Sequence, residues 1–119
     1  MKKSYEKNVE DTRKGSTHIK FSLYYSLGGW NCFTCDKEPR GLYISFQPVD
    51  REERDGGWIC EKFTAFTGEK FFLKEMNRFS QKTFDEYVEK VTPHIKEMIN
   101  LWVNGQGQNI FGLMDRIGC

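Results

Sequence analysis

The sequence has no apolar run near the roughly 18 residues that a membrane-spanning helix needs, and its opening MKKSYEKNVEDTRKG lacks the apolar stretch of a secretory leader. A cytosolic protein is therefore expected. Charge of one sign is also missing. Eighteen Lys and Arg stand against 17 Asp and Glu, a net charge of +1, which argues against a basic nucleic-acid sleeve and equally against an acidic DNA mimic. With only two His, and with no H-E-x-x-H, G-x-S-x-G, phosphate-loop or dinucleotide fingerprint, no acid–base or nucleophile pair can be assigned, and an enzyme is not expected. At 119 residues the chain is too short for two ordinary domains.

Aromatic side chains are what it has in quantity. Ten Phe, five Tyr and three Trp make 15% of the chain, against 38% hydrophobic residues in all, enough to fill a small core with rings. Half of residues 1–16 are charged, with Tyr5 and Val9 as their sizeable apolar side chains, and the segment reads as a flexible tail before a single domain over 17–119. From His18 the sequence alternates: Ile19, Phe21, Leu23 and Tyr25 oppose Lys20, Ser22 and Tyr24, a first strand. A second strand reads as Leu42, Ile44 and Phe46 opposed by Tyr43, Ser45 and Gln47, ended by Pro48. The polar stretch Asp50 to Gly57 reads as an exposed loop, and Trp58 to Phe66 with Lys70 to Met76 as a hairpin.

Past Thr83 the period changes to 3.6, with Phe84, Val88, Val91, Ile95, Met98 and Trp102 on one face. Thr83 and Glu86 have capping-box spacing, Pro93 predicts a kink near Val88 to Val91 with a break at Thr92 as the alternative, and Gly105 ends the helix. Beyond it Ile110, Phe111, Leu113 and Met114 are expected to pack back. These pieces predict an α+β domain, an antiparallel sheet of about four strands covered on one face by a long C-terminal amphipathic helix. The uncovered face would show Tyr24, Tyr43, Trp58 and Phe66, an aromatic surface suited to an interface unless the N-terminal arm or the 106–119 tail shields it.

Four cysteines in a reducing compartment point to metal or to plain burial before disulfides. Cys32-Phe33-Thr34-Cys35 can take adjacent corners of a tetrahedral Zn²⁺ site, with Cys60 and Cys119 as the expected completion and His18 and His94 in reserve. Reduced thiols without metal and a redox pair are the other two readings. A plain meander would set Cys60 far from Cys32, which counts against that ligand, although Leu27 to Arg40 is long enough to form its own short strand or to fold back at Gly28-Gly29. Lys37, Arg40, Lys62, Lys70 and Lys74 beside Tyr24 and Tyr43 suggest an alternative, single-stranded nucleic-acid binding or a transfer-complex accessory role, weakened by the interleaved Glu38, Glu61, Glu69 and Glu75.

Several short motifs stand in order: Leu23-Tyr24-Tyr25-Ser26-Leu27-Gly28-Gly29-Trp30-Asn31, Pro39-Arg40-Gly41-Leu42-Tyr43-Ile44-Ser45 with Pro48-Val49, Thr64-Ala65-Phe66-Thr67-Gly68, and Arg78-Phe79-Ser80. Over about residues 19–104 this string resembles a family of small accessory proteins of bacterial phages and conjugative elements. Members commonly carry Tyr and Gly at the positions of Cys32 and Cys35, so zinc would be particular to this branch. The resemblance implies an anti-CRISPR that binds a type II RNA-guided Cas nuclease by protein contact and blocks DNA loading or cleavage.

Overall fold

A computed structural model describes residues 3–31, 35–54, 56–64 and 67–118. The architecture is α+β. In chain order it comprises β1 (Ser4–Glu10), β2 (His18–Ser26), β3 (Gly29–Asn31), β4 (Asp36–Glu38), β5 (Gly41–Arg54), β6 (Trp58–Phe63), β7 (Glu69–Glu75), α1 (Gln81–Val91), a 3₁₀ turn (Thr92–His94), α2 (Ile95–Val103) and α3 (Asn109–Arg116). One five-stranded antiparallel sheet runs β1-β2-β5-β6, with β7 also on β5, and β3 and β4 pair separately.

The first strand keeps the alternation read from sequence. Ile19, Phe21 and Leu23 of β2 and Leu42, Ile44 and Phe46 of β5 are fully buried, in one cluster with Phe84, Val91, Ile95, Met98, Ile99 and Trp102 of the helices. That cluster is the core, between the sheet and the helical layer.

Residues 4–10 correct the expectation of a flexible tail. They pair along most of β2, from Ser4 opposite Tyr24 to Glu10 opposite His18. The segment alternates, so Tyr5 and Val9 both fall on the core side and pack against it, while Glu6 on the other face meets Lys20 at 3.3 Å. A charge-rich segment hid a strand whose stability comes from the backbone ladder and from those two side chains.

β5 is the long central strand and does not stop at Pro48. Its first half pairs with β7, its second half with β6, so these two segments lie end to end along one edge and do not form the expected hairpin. Pro48 explains why. Its carbonyl accepts the Thr64 N–H at 3.5 Å, on the side where β6 has ended and β7 has not begun, so the N–H that proline lacks is lost where no ladder bond is needed. Beyond it the polar residues Asp50 to Arg54 are strand as well, turning at Gly56 and Gly57, both at positive φ, into β6. Ion pairing supports that extension, with Lys62 to Glu52 at 2.9 Å.

The helix begins two residues earlier than Thr83. Ser80 is the cap, its hydroxyl accepting the Thr83 N–H at 3.3 Å. Pro93 places the break in a 3₁₀ turn at Thr92–His94, where the Thr92 hydroxyl donates to the Val88 carbonyl at 2.6 Å, yet Val91, Ile95 and Met98 stay in phase across it. After Gly105, α3 buries Ile110, Leu113 and Met114, while Phe111 stays half exposed with its ring edge-on to Phe71. Among the described residues no helix is long and apolar enough to cross a membrane.

Candidate interaction surface

The chain between β2 and β5 turns back over the face of the sheet that the helices leave open. Gly28 and Gly29, at φ of 71° and 121°, reverse the chain, and a Cβ on Gly28 would stand 2.6 Å from the Glu38 carbonyl oxygen. No larger residue fits there. The Arg40 guanidinium ties the base of the excursion by donating to the Leu27 carbonyl at 3.2 Å and to the Asn77 carbonyl at 3.0 Å. From below, the Tyr43 hydroxyl donates to the Pro39 carbonyl at 2.6 Å, and Lys70 forms an ion pair with Glu38.

For Tyr43 the shielded reading of the aromatic face holds, not the open one. Tyr43 is only 3% exposed, stacked on Tyr24 at 5.6 Å, met edge-on by Phe72 at 5.2 Å, with the Lys70 ammonium 5.5 Å from its ring. Burial, with Glu38 adding to it, holds both tyrosine hydroxyls above their ordinary pKa. The shielding element is the β3–β4 excursion, not the N-terminal arm or the C-terminal tail. Phe66 lies outside the described residues.

What the excursion covers below it replaces above. Leu27 and Trp30 are 64% and 68% exposed at its corner. The sequence signal for this corner was the Gly28-Gly29 pair in a segment long enough to form its own short strands, as β3 and β4 do; that the excursion would cover Tyr43 had no such signal.

The middle of the same face is polar. Lys20 meets Glu61 at 3.0 Å, and Glu61 accepts the Asn8 amide at 2.6 Å, with Arg51 4.0 Å away. Asn8 and Glu61 belong to β1 and β6, with two strands between them, a flat separation of about 14 Å that these side chains do not span. The sheet must curl, making this face concave. Lys20 first and Asn8 second hold the Glu61 carboxyl below the ordinary glutamate value of 4.5. A carboxylate so depressed stabilises the fold above that value and loses its contribution as pH falls through the folded value. Stability is accordingly expected to drop in acid below pH 4.5, and Glu61→Gln to flatten that drop in urea titrations run at a series of pH values. Lys20, raised by the same contact, loses its share only on the alkaline side of 10.5.

Of the expected metal ligands, Cys32 and Cys119 lie outside the described residues. Cys35 is exposed beside β4, at a positive φ of 52°, and Cys60 is partly buried in β6 opposite Glu52. The excursion carrying Cys35 leaves the sheet at Gly41, and the stretch of β5 from Gly41 to Glu52 spans on the order of 35 Å. These two thiols are not brought together. His18 opens β2 beside Thr17 and His94 sits by Glu97, so neither joins them, and among the described residues no group of three or more His, Cys, Asp or Glu is set to hold a metal.

Compared with protein-family models, with curated proteins and with solved structures, the chain finds no match.

Proposed function

We propose that this protein acts in the bacterial cytoplasm by stoichiometric contact with another protein, and that the Leu27–Trp30 corner is its anchor. The supporting observation is a large aromatic and a large aliphatic side chain, both about two-thirds exposed, on a hairpin held by Arg40, Tyr43 and Lys70. A tryptophan on a pre-organised element is the residue type that most often dominates binding energy, because little conformational freedom remains to be lost on docking.

The sequence resemblance names the first partner to try, a type II RNA-guided Cas nuclease whose DNA loading or cleavage would be blocked. Co-incubation is expected to protect target DNA, with Trp30→Ala raising the inhibitor concentration required by about 30-fold, as a truncated hot spot worth roughly 2 kcal/mol implies. Unimpaired cleavage by several type II nucleases at excess protein removes that partner. Salt-sensitive binding to bare single-stranded DNA would favour the accessory role instead; against that role, Tyr43 is already stacked and Lys70 and Lys62 are already paired.

Zinc enters this reading as a structural ion on Cys32 and Cys35, with Cys60 left out of the site. Metal analysis of protein purified without chelator is expected to give Cys60→Ser the same zinc per chain as wild type and Cys35→Ser less. Equal loss from both variants would return Cys60 to the ligand set, and wild type with no zinc would leave the reduced thiols as the better account.

A further inference from the structure

We propose that β6 is a dimerisation edge, pairing antiparallel with β6 of a second copy about a twofold axis through Glu61. Among the described residues no strand pairs with the outer side of β6. At the other end of the sheet, β1 carries Glu6, Lys7 and Glu10, charges that discourage strand addition. β6 instead carries the large apolar side chains Ile59 and Phe63, 58% and 69% exposed. They lie two positions either side of Glu61 and so on one face of the strand.

That spacing is self-complementary. In an antiparallel pair with residue 61 opposite its own copy, Ile59 of each chain meets Phe63 of the other, at the roughly 5 Å Cβ separation of directly opposed residues. Moving the axis one residue either way sets an apolar side chain against Glu61, so the apolar match selects one register. Glu61 does not oppose it. Its carboxylate is drawn across the concave face to Lys20 and Asn8, away from the edge, and carries a compensating charge there. On the reverse face Cys60 would meet Lys62, which its own Glu52 neutralises, so no uncompensated like charges are opposed.

A six-residue edge with two apolar pairs is at the small end of specific interfaces, so the dimer forms reversibly as concentration rises. This inference does not depend on the partner reading, because β6 sits at the other end of β5 from the Leu27–Trp30 corner.

Sedimentation equilibrium of the full chain over a range of concentrations tests it. Wild type is expected to shift from monomer to dimer. The double variant Ile59→Lys with Phe63→Lys places two like-charge pairs across the axis and should lower the association constant tenfold or more, roughly, while far-UV circular dichroism stays unchanged because both sites are exposed. The variant Ile59→Glu with Phe63→Lys sets Glu against Lys twice and should restore the dimer. A wild type that stays monomeric, a dimer indifferent to the lysine pair, or a failure of the Glu–Lys variant to recover would each overturn the proposal, the last by ruling out the register.

Discussion

Val91→Asp is expected to lower stability by about 3–5 kcal/mol, enough to leave a domain of ordinary stability largely unfolded at room temperature. Val91 is fully buried within the cluster that joins the helices to β2 and β5. A carboxylate there has no cationic partner among the residues of that cluster, and the low-dielectric interior penalises it unless it takes up a proton. Its position adds to the cost. Val91 is the last residue of α1, where the helix carbonyls already present partial negative charge. Urea denaturation followed by far-UV circular dichroism measures the effect; a midpoint within error of wild type would mean that the helix does not seal the core at this point.

Phe46→Ala is the second substitution with a large expected effect, a loss of about 3–5 kcal/mol. The ring is the hub of the aromatic core. It stacks on Trp102 at 5.4 Å and 12°, meets Phe71 edge-on at 6.0 Å and lies 5.8 Å from Phe21, so one residue of β5 links β2, β7 and α2. Removing it strips Trp102 of its main ring contact, although the indole N–H still donates to Glu69 at 2.9 Å and Lys14 lies 5.1 Å from the ring. The loss should therefore also appear as a change in near-UV circular dichroism from Trp102. Phe46→Leu refills part of the volume and should recover much of the stability; equal losses in the two variants would point away from packing as the cause.

Where periodicity and chemistry agreed locally, the fold was legible in the sequence. β2 and the first half of β5 alternate cleanly, and both bury the residues their pattern assigns. The helical face from Phe84 to Trp102 survives a proline because a 3₁₀ turn preserves phase well enough for Ile95 and Met98 to follow Val91 inward. Where composition was weighed over pattern, the reading failed. Tyr5 and Val9 alternate within a charged segment, and Asp50 to Arg54 is wholly polar, yet both segments are strands because backbone pairing and cross-strand ion pairs ask only for a partner alongside.

The candidate surface divides in the same way. The Gly28-Gly29 turn was legible in the sequence because a glycine pair after an alternating strand is a local signal, whereas the exposure of Trp30 was not. That this turn would fold over Tyr43 was not local; it depends on Arg40 reaching Asn77 and on Tyr43 meeting Pro39, contacts between separate segments. By itself the sequence determined the α+β class, the two buried strand faces and the apolar face of the helix, since each follows from side-chain period along a few neighbouring residues. Only the tertiary structure decided which segments share β5, which face is shielded and which thiols stay apart. Those outcomes are set by competition among distant segments for one strand's hydrogen bonds and one core's volume, and no local pattern encodes that competition.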